Sequence, residues 1–380
     1  MNMAENKRKT LLYIALTDLK DMTSGVSRKV ANQAKAFNNN GYDVDIIAYA
    51  GEGIGLYQRN DLTATKEVQA AKGLRQTTVY KYAKTLSGKN YDVVYLRYSY
   101  MTPAMMSCLD EHHQKGAKVV VEFPTYPITW HKPTSVRVMV SQWYYRFFEM
   151  IYKGRFANVV NEALTIGDKV DTAYGVKAKN IPNGAEVSKI PMRVPSEEVG
   201  ELNILCSASY YLYQGVDRLI EGIAAYERSK VENEITVKAH IMGEGPELES
   251  YKRLVKDYHL EELVTFYGQL AGEAYDEVFD SCQMGAGATA VHRVGGGAGS
   301  ALKIKDYLAR GIPFFYGYEE IGLPEDFPYG LRIESKEGPI DIYKLIEFYN
   351  TYKDKQEEVV PIMRQFVEEH FSWEKILEDV

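Results

Sequence analysis

One segment of this sequence gathers glycines, cations and a carboxylate around a single predicted helix start. The glycine-rich residues 295–299 are followed by a helical pattern, and the free amides and dipole of such a helix start stabilise anions. Arg293 precedes the loop and Lys303 lies in the first helical turn, so both can reach a bound anion. Asp306 lies one turn after Lys303 on the same face, where it could hold a hydroxyl group. We therefore predict a diphosphate site in which Arg293 and Lys303 neutralise the charge of a leaving group.

The loop and the helix start supply the remaining contacts of this predicted site. They are His292, Gly297, Ala298, Gly299, Ser300, Ala301 and Leu302. The alternative interpretation is a flexible glycine linker followed by a surface pair of Lys303 and Asp306. The convergence of a loop, a cation and a carboxylate at one helix start favours the binding site.

Two further loops have the composition of anion-binding turns. Ser24 and Gly25 follow a predicted strand and precede a predicted helix, where small residues leave amide groups accessible. Residues 243–247 also join a strand to a helix, but they lack the lysine of a P-loop. Each loop has an ordinary alternative, with Ser24 as a helix cap and Pro246 at the first position of a helix.

These loops belong to an alternation of strands and helices that restarts once along the chain. Lys9–Thr17 predicts a strand and Val26–Asn39 a helix, which together open a parallel doubly wound sheet. Leu202–Ser207 and Gly215–Arg228 predict the same beginning again. The predicted fold class is therefore α/β, with two Rossmann-like doubly wound domains that face a ligand cleft.

Prolines and charged residues predict the domain borders. Pro182, Pro191 and Pro195, followed by Ser196 and a charged run, mark the end of a first domain that spans residues 1–195. The second domain is predicted to span residues 196–356. The remaining segment, 357–380, is predicted to be helical and amphipathic.

Bulk composition excludes several classes of protein. The 380 residues are 45% hydrophobic and 26% charged, as in globular proteins of two domains. A net charge of -7 argues against a nucleic-acid-binding protein. No run approaches the roughly 18 apolar residues of a membrane-spanning helix. Leu11–Leu16 is too short for a signal peptide, so a cytoplasmic location is predicted. Free, buried thiols are predicted at Cys108, Cys206 and Cys282.

In chain order, the motifs of this sequence resemble the family 4 glycosyltransferases of the GT-B fold. The segments that carry the resemblance are Ser24–Gly25, Ile181–Ala185, Met242–Pro246, Val264–Gly268 and Leu302–Pro313. The resemblance covers nearly the whole chain, and the pair at residues 292–293 is similar to a bacterial polysaccharide-biosynthesis branch of the family. It implies retaining transfer of a sugar from a nucleotide-sugar, most commonly a UDP-sugar, without a metal or another cofactor.

The same resemblance implies where the two substrates bind. The donor would bind to the second domain and the acceptor to the first, and the segment 357–380 would return to the first domain. The donor-binding residues that the resemblance adds are Ser24, Gly25, Gly243, Tyr267 and Gly268. Of these, Tyr267 and Gly268 match the turn that meets the nucleotide base.

The chain departs from the family pattern at the donor site. Of the two glutamates in the pattern, the second position is Asp306 and the first is Ala298. The arginine and lysine that bind the donor phosphates fall near Ser209 and Gln214, so both cations are missing. The cations that could replace them are Arg293, Lys303 and Arg218. The alternative is that donor binding is weak or lost; we favour replacement because of the polysaccharide-branch likeness.

Glu122 is the candidate acceptor-side residue of the first domain. It ends a predicted central strand at the expected cleft, where a carboxylate could contact the acceptor or the transferred sugar. With Arg293 and Lys303 it completes the predicted catalytic set. The alternative is a strand-end carboxylate that caps nearby amides.

Residues 135–156 form a predicted helix that is both basic and aromatic. Its cations are Arg137, Arg146, Lys153 and Arg155. Such a helix can lie on an anionic membrane surface. The alternative is a core helix whose packing face consists of Val136, Val140, Phe147 and Ile151.

We therefore predict a transferase that moves a sugar to a saccharide or lipid-linked saccharide, in the cytoplasm or at the inner face of the membrane. Asp43 and Asp45 match a metal-binding motif of another glycosyltransferase fold. They lie at the start of a predicted strand and have no third candidate ligand, so we predict no metal there. Two alternatives remain: a non-catalytic glycosyltransferase-like partner that binds glycans or a transferase, and a nucleotide-sugar 2-epimerase.

Overall fold

A computed structural model describes residues 8–22, 24–58, 63–71, 73–128, 135–195, 200–231 and 234–380 of the protein. The chain forms two units. The first unit comprises residues 1–181 with 373–380, and the second comprises residues 182–372. Each unit is a largely parallel sheet flanked by helices, as the alternation of strands and helices predicts.

The first unit is built on a nine-stranded sheet. Its strands are β1 (Lys9–Asp18), β2 (Tyr42–Ala50), β3 (Gly53–Gln58), β4 (Lys66–Val68), β5 (Val93–Arg97), β6 (Lys118–Tyr126), β7 (Glu162–Gly167), β8 (Thr172–Ala173) and β9 (Val176–Asn180). They lie in the order β4-β3-β2-β1-β5-β6-β7-β9-β8, and the central strands pair in parallel. Its helices are α1 (Gly25–Asn39), α2 (Arg75–Thr85), α3 (Pro103–Gln114) and α4 (Val136–Val159).

Alternation along β1 gives this sheet a hydrophobic core on each face. Leu11 and Tyr13 belong to one core, and Leu12 and Ile14 belong to the other. A strand that is apolar at every position is the pattern expected where helices cover both faces of a parallel sheet. The predicted strand at Lys9–Thr17 is therefore a central strand.

The second unit contains a six-stranded parallel sheet and a small two-stranded one. Its strands are β10 (Glu201–Ser207), β11 (Thr236–Met242), β12 (Val264–Gly268), β13 (Met284–Ala286), β14 (Ala298–Gly299), β15 (Phe314–Tyr316), β16 (Glu319–Glu320) and β17 (Gly330–Arg332). Its helices are α5 (Val216–Ser229), α6 (Leu248–Asp257), α7 (Glu273–Asp280), α8 (Leu302–Arg310), α9 (Ile342–Asn350) and α10 (Gln356–Phe371). The larger sheet has the order β12-β11-β10-β13-β15-β17, and β14 pairs with β16.

The border between the units lies earlier than the predicted border at residues 195 and 196. The chain enters the second unit at Pro182. Arg193 is buried there, and its guanidinium donates to the backbone oxygens of Gly311 at 3.0 Å and Cys282 at 2.9 Å. Prolines stop regular structure but do not prevent packing, so the proline-rich stretch belongs to the second unit. Residues 196–199 lie outside the described part of the chain.

The C-terminal segment 357–380 is divided between the two units. Helix α10 belongs to the second unit, where it packs on α8, and the grouping with the first unit begins at Trp373, where helix α11 (Trp373–Ile376) starts. Part of the segment, residues 373–380, therefore groups with the first unit. The three cysteines are buried and free, as predicted.

Candidate functional site

The candidate site of the second unit lies where its strand order reverses. β10 and β13 are neighbours in the sheet, but their chain connections run in opposite directions, to β11 on one side and β15 on the other. Ligands of doubly wound sheets bind at such a switch point, beyond the carboxyl ends of the strands. Gln214 follows β10, and the glycine loop and α8 follow β13. The topology thus brings these segments together.

Lys303 extends from the first turn of α8 into this switch point. Its Nζ donates to Gln214 Oε1 at 2.6 Å and to the backbone oxygen of Ala286, at the end of β13, at 3.3 Å. No carboxylate of the described residues pairs with it, and burial lowers the pKa of Lys303 to about 8. An ammonium held by neutral groups keeps its charge available for a ligand, which is compatible with the role predicted for Lys303.

The contact with Gln214 concerns one of the two positions where the sequence lacks the cations of the family pattern. The position where the family pattern has a cation carries a neutral amide, and the ammonium of Lys303 lies against that amide. Ser209, the other substituted position, is exposed. Sequence spacing could not reveal this pairing, because the two residues lie 89 positions apart.

The start of α8 leaves two amides for an anion. The N-cap position, Ala301, provides no side-chain cap, and its own amide donates to Glu320 Oε2 at 3.1 Å. The amides of Leu302 and Lys303 have no acceptor in the described part of the chain. These two amides and the ammonium of Lys303 lie at the positive end of the helix dipole, which suits a diphosphate.

A buried ion pair holds the glycine loop in place. Lys305 and Glu320 have side chains 1% and 0% exposed and pair with each other, and Lys305 Nζ also donates to Ser300 Oγ at 2.8 Å. Asn183 donates its backbone amide to Ser300 Oγ at 2.7 Å and its side-chain amide to the backbone oxygen of Ser300 at 2.7 Å. Taking these two charges out of water costs free energy. The ion pair offsets this cost only together with its additional hydrogen bonds. This support is not predicted from the sequence, because Lys305 has the pattern of an exposed helical lysine.

Arg293 is engaged elsewhere, contrary to its predicted catalytic role. Its guanidinium donates to Asp217 at 3.0 and 2.7 Å and to Glu337 at 2.9 and 2.6 Å. These hydrogen bonds hold the pKa of Arg293 above its ordinary value. His292 contacts the same Glu337 carboxylate at 2.9 Å. Two carboxylates occupy the bidentate face of the guanidinium, so Arg293 braces the loop and is not presented to a phosphate.

Arg218 is also excluded as a replacement cation. Its side chain is buried, and it donates to the backbone oxygens of Thr289, Glu334 and Gly338. Through these three carbonyls, Arg218 ties the chain segments around α5 together.

Asp306 lies beside the site in a hydrogen-bonded group. Its carboxylate accepts from Tyr275 Oη at 2.9 Å and from Arg310 Nε at 3.3 Å. Burial raises the pKa of Asp306, although the charge of Arg310 opposes the increase. Tyr275 Oη also lies 3.3 Å from the hydroxyl of Ser207, at the end of β10. The structure thus brings Asp306 to the switch point with one of its oxygens bound by Tyr275.

The predicted base-binding turn, Tyr267 with Gly268, lies at the end of β12, and the predicted donor-binding residue Gly243 follows β11. Gly243 has a φ of +120°, and a Cβ atom there would lie 2.0 Å from the backbone oxygen of Ala208. Its amide donates to the backbone oxygen of Gly268 at 2.7 Å. Tyr267 contacts His240 Nδ1 at 2.8 Å, which fixes the phenol beside these glycines. The loop of residues 243–247 therefore requires glycine for close backbone packing.

Ser24 and Gly25 occupy the start of α1 in the first unit. Ser24 is the N-cap and accepts from the amide of Ser27 at 3.5 Å. A Cβ atom at Gly25 would meet no other atom within 4 Å. Ser24 therefore caps the helix, which was the alternative interpretation of this residue. The open space at Gly25 leaves the helix start accessible.

Glu122 is completely buried, contrary to its predicted contact with the acceptor. Its carboxylate pairs with Lys29 at 2.9 Å and accepts from Gln33 at 2.5 Å and Tyr95 at 2.7 Å, while Arg97 lies 3.8 Å away. Burial alone would raise the pKa of Glu122, but the charges of Lys29 and Arg97 outweigh it and hold the pKa below its ordinary value. This carboxylate lies in the middle of β6, where it organises the surrounding core.

A cavity of about 270 Å³ lies next to this buried group, at the carboxyl ends of β1, β5 and β6. Its lining includes Leu16, Arg97, Tyr98, Tyr100, Pro124 and Thr125. It combines one cation with aromatic rings and hydroxyl groups, which is the composition of a site for a polar ligand. The residues that line this cavity come from three strands, and they were not predicted as a site from the sequence.

Helix α4 exposes most of its apolar residues. Val136, Val140, Phe147 and Ile151, the predicted packing face, are 72%, 60%, 52% and 50% exposed. The core-helix alternative is therefore wrong for this stretch, and the buried residues of α4 are Phe156 and Val159, near its end. Among the described helices, none is long and apolar enough to cross a bilayer.

Comparison with known proteins identifies the fold. No model of a protein family matches the chain, and no curated protein sequence matches it. A crystal structure of Anabaena HepE in complex with UDP matches with a TM-score of 0.63 and 12% identity, covering 98% of both chains. Sucrose-phosphate synthase from Thermosynechococcus elongatus matches with a TM-score of 0.58 and 12% identity, covering 97% of this chain and 96% of its own. The lipopolysaccharide outer core galactosyltransferase WaaB, in its apo form, matches with a TM-score of 0.57 and 13% identity, covering 98% of both chains. The chain therefore has the GT-B fold, as predicted.

Proposed function

We propose that this protein transfers a sugar from a nucleotide-sugar, with a UDP-sugar as the donor, to a saccharide or lipid-linked saccharide. The observation that carries the proposal is the position of Lys303 and the first α8 amides at the switch point of the second unit. The GT-B structures that resemble this chain support it, since HepE was solved with UDP and WaaB is a galactosyltransferase.

In this proposal, the chain stabilises the negative charge that develops on the donor phosphate as the glycosidic bond breaks. Lys303 Nζ and the amides of Leu302 and Lys303 are held in position before the donor binds, because the Lys305–Glu320 pair fixes the loop. Preorganised donors of this kind need no rearrangement during the reaction. We further propose transfer with retention and charge neutralisation by Lys303 in place of a metal, as the family resemblance implies.

Replacing Lys303 tests this proposal. Lys303→Ala removes the ammonium, and we expect transfer from the donor to fall by about two to three orders of magnitude, the effect of losing one preorganised donor. Lys303→Arg keeps the charge and should retain part of the activity. Lys252→Ala, which removes an exposed lysine of α6, is the matched control and should not change turnover. Unchanged turnover in Lys303→Ala would contradict the assignment.

One observation favours a second function, that of a non-catalytic partner. Ala298 lacks the first motif carboxylate, and Arg293 is occupied by Asp217 and Glu337. Binding of a ligand to the folded state raises the melting temperature. A thermal-shift series with UDP, GDP and their sugars therefore separates the two functions. A shift together with sugar transfer supports the transferase, and the absence of any shift supports the partner.

We also propose that α4 lies on an anionic membrane surface, next to a lipid-linked acceptor. Its exposed apolar residues include Trp143 and Met150, which are 69% and 65% exposed. Arg137 and Lys153 on the same helix complement anionic lipid headgroups. The cavity beside Arg97 is the proposed acceptor site in this unit.

Vesicle sedimentation tests the membrane proposal. The protein should sediment with vesicles containing phosphatidylglycerol and much less with vesicles of phosphatidylcholine alone. Trp143→Ala with Met150→Ala should reduce sedimentation, whereas the buried Val159→Ala is a control that leaves the exposed surface unchanged. Equal sedimentation of both variants would count against α4 as the contact.

A further inference from the structure

The small sheet next to the candidate donor site places a glutamate opposite the alanine of the family motif. β14 and β16 pair in parallel with Ala298 opposite Glu319 and Gly299 opposite Glu320. The amide of Glu319 donates to the backbone oxygen of Gly297 at 2.9 Å, and that of Ile321 to Gly299 at 2.8 Å. The register of the two strands is therefore fixed by hydrogen bonds on both sides of the pair.

The two glutamates of β16 point to opposite faces. Glu320 points inward, where its buried carboxylate meets Lys305, Tyr318 and the amide of Ala301. Successive side chains of a strand alternate between faces, so Glu319 points outward. Paired residues of a parallel ladder share a face, and neighbouring strands are about 4.8 Å apart. Glu319 thus stands beside the methyl group of Ala298.

The carboxylate of Glu319 is available for a ligand. Glu319 is exposed, whereas both of its chain neighbours are buried. Its carboxylate forms no hydrogen bond or ion pair with the described residues around it, in contrast to Glu320 and Glu337. A carboxylate is a strong acceptor for sugar hydroxyls, and the methyl group of Ala298 offers none.

We propose that Glu319 binds the hydroxyl groups of the donor sugar, in place of the carboxylate that the motif has at position 298. This inference rests on the proposed function. The sugar of a nucleotide-sugar is attached to the terminal phosphate, and the proposed phosphate site is the start of α8, which follows β14 directly. A carboxylate on the outer face of this small sheet is therefore next to the transferred group.

Two substitutions and a swap test the proposal. Glu319→Gln and Glu319→Ala should lower kcat/KM for sugar transfer by about 10- to 100-fold, the effect of losing a hydrogen bond to a charged group. The affinity for UDP alone should change less than about twofold, because UDP lacks the sugar. Glu325→Gln, an exposed glutamate of the same unit, is the control and should leave both quantities unchanged.

The swap variant Ala298→Glu with Glu319→Ala returns the carboxylate to the motif position. It should recover most of the activity lost in Glu319→Ala, which a purely structural role of Glu319 would not explain. Wild-type kcat/KM in Glu319→Ala, with UDP binding and transfer intact, overturns this inference alone. Failure of the unmodified chain to bind UDP or transfer sugar overturns the proposed function itself.

Discussion

At the residue scale, the pairing of each cation decides what it can do. Lys303, Arg293 and Arg218 are equivalent in a sequence, since each is a cation near the predicted donor site. In the structure, Arg293 is held by two carboxylates and Arg218 by three backbone carbonyls, while Lys303 contacts only neutral groups. The charge of Arg293 is compensated and that of Lys303 is not. We therefore expect anion binding to depend on Lys303.

The lowered pKa of Lys303 predicts a pH dependence of nucleotide binding. The ammonium is the form that binds a phosphate, and burial lowers the pKa of Lys303 to about 8. Below that pH the lysine is charged, and above it the free protein loses the charge. We expect the Kd for UDP to rise about tenfold between pH 7 and pH 9 through this group.

Isothermal titration across this pH range measures the effect. In Lys303→Arg the cation stays charged, so its Kd should be nearly constant over the same range. Parallel pH profiles for the wild type and Lys303→Arg would show that another group controls binding.

At the element scale, loops at the carboxyl ends of strands shape the site through backbone packing. Gly243 follows β11 and lies directly against Ala208, which follows β10. The glycine loop before α8 is held in a similar way, by pairing of β14 with β16 and by the Lys305–Glu320 pair. Glycine-rich composition predicts both loops, but the partner of each loop is distant in the sequence.

Substitution of Gly243 tests how tightly the loop after β11 is packed. Gly243→Ala places a Cβ atom 2.0 Å from the backbone oxygen of Ala208. We expect the free energy of unfolding to fall by about 3 kcal/mol, since backbone atoms must move. UDP affinity should fall as well, because the amide of Gly243 donates to Gly268 in the turn that is predicted to meet the base.

Gly268→Ala is the matched control for this prediction. Gly268 also has a positive φ, +67°, but a Cβ atom there would meet nothing within 4 Å. Gly268→Ala should lower the free energy of unfolding by about 1 kcal/mol, which is the penalty of the left-handed conformation alone. Urea unfolding measures both variants, and equal losses would refute the close-packing explanation.

At the scale of the whole molecule, the chain forms two similar units, and its last segment groups with the first of them. Helix α11 and the residue after it contribute the buried side chains of Trp373, Ile376 and Leu377 to a core of the first unit. The ring of Trp373 lies 5.2 Å from Lys29 Nζ, and Tyr42 donates to the backbone oxygen of Val380 at 3.0 Å. The first unit is therefore completed by residues that follow the entire second unit.

Removing residues 373–380 should destabilise the first unit selectively. Burial of each large apolar side chain stabilises a fold by about 1.5–3 kcal/mol, so the truncation should cost roughly 5 kcal/mol. Hydrogen exchange should increase in β1 and remain nearly unchanged in β10. Lys375→Ala, an exposed position of the same segment, should change neither. Equal protection of β1 in the truncated and full chains would contradict this role.

Several features that the sequence did not predict are long-range or locally weak. The edge strands β3 and β4 were not predicted, and together with β8 they pair antiparallel in an otherwise parallel sheet. The predicted border at residue 195 followed the prolines, but Arg193 packs into the second unit. Glu122 was predicted to face a ligand, yet Lys29, Gln33 and Tyr95 surround it. The edge strands have short, locally weak patterns, whereas the unit border and the surroundings of Glu122 depend on contacts between residues distant in the chain.

The sequence by itself determined the α/β class, the two Rossmann-like units, the GT-B fold and the segment of glycines with Lys303. The class and the two units follow from local periodicity and turn residues, whereas the GT-B fold is what the resemblance of the ordered motifs to a known family implies. Only the tertiary structure decided which charges are compensated. The carboxylates that engage Arg293 lie 76 and 44 positions away, and the glutamate opposite Ala298 is fixed by strand register. The strength of a charge in a site depends on its neighbours in space, and the sheet topology brings those neighbours together.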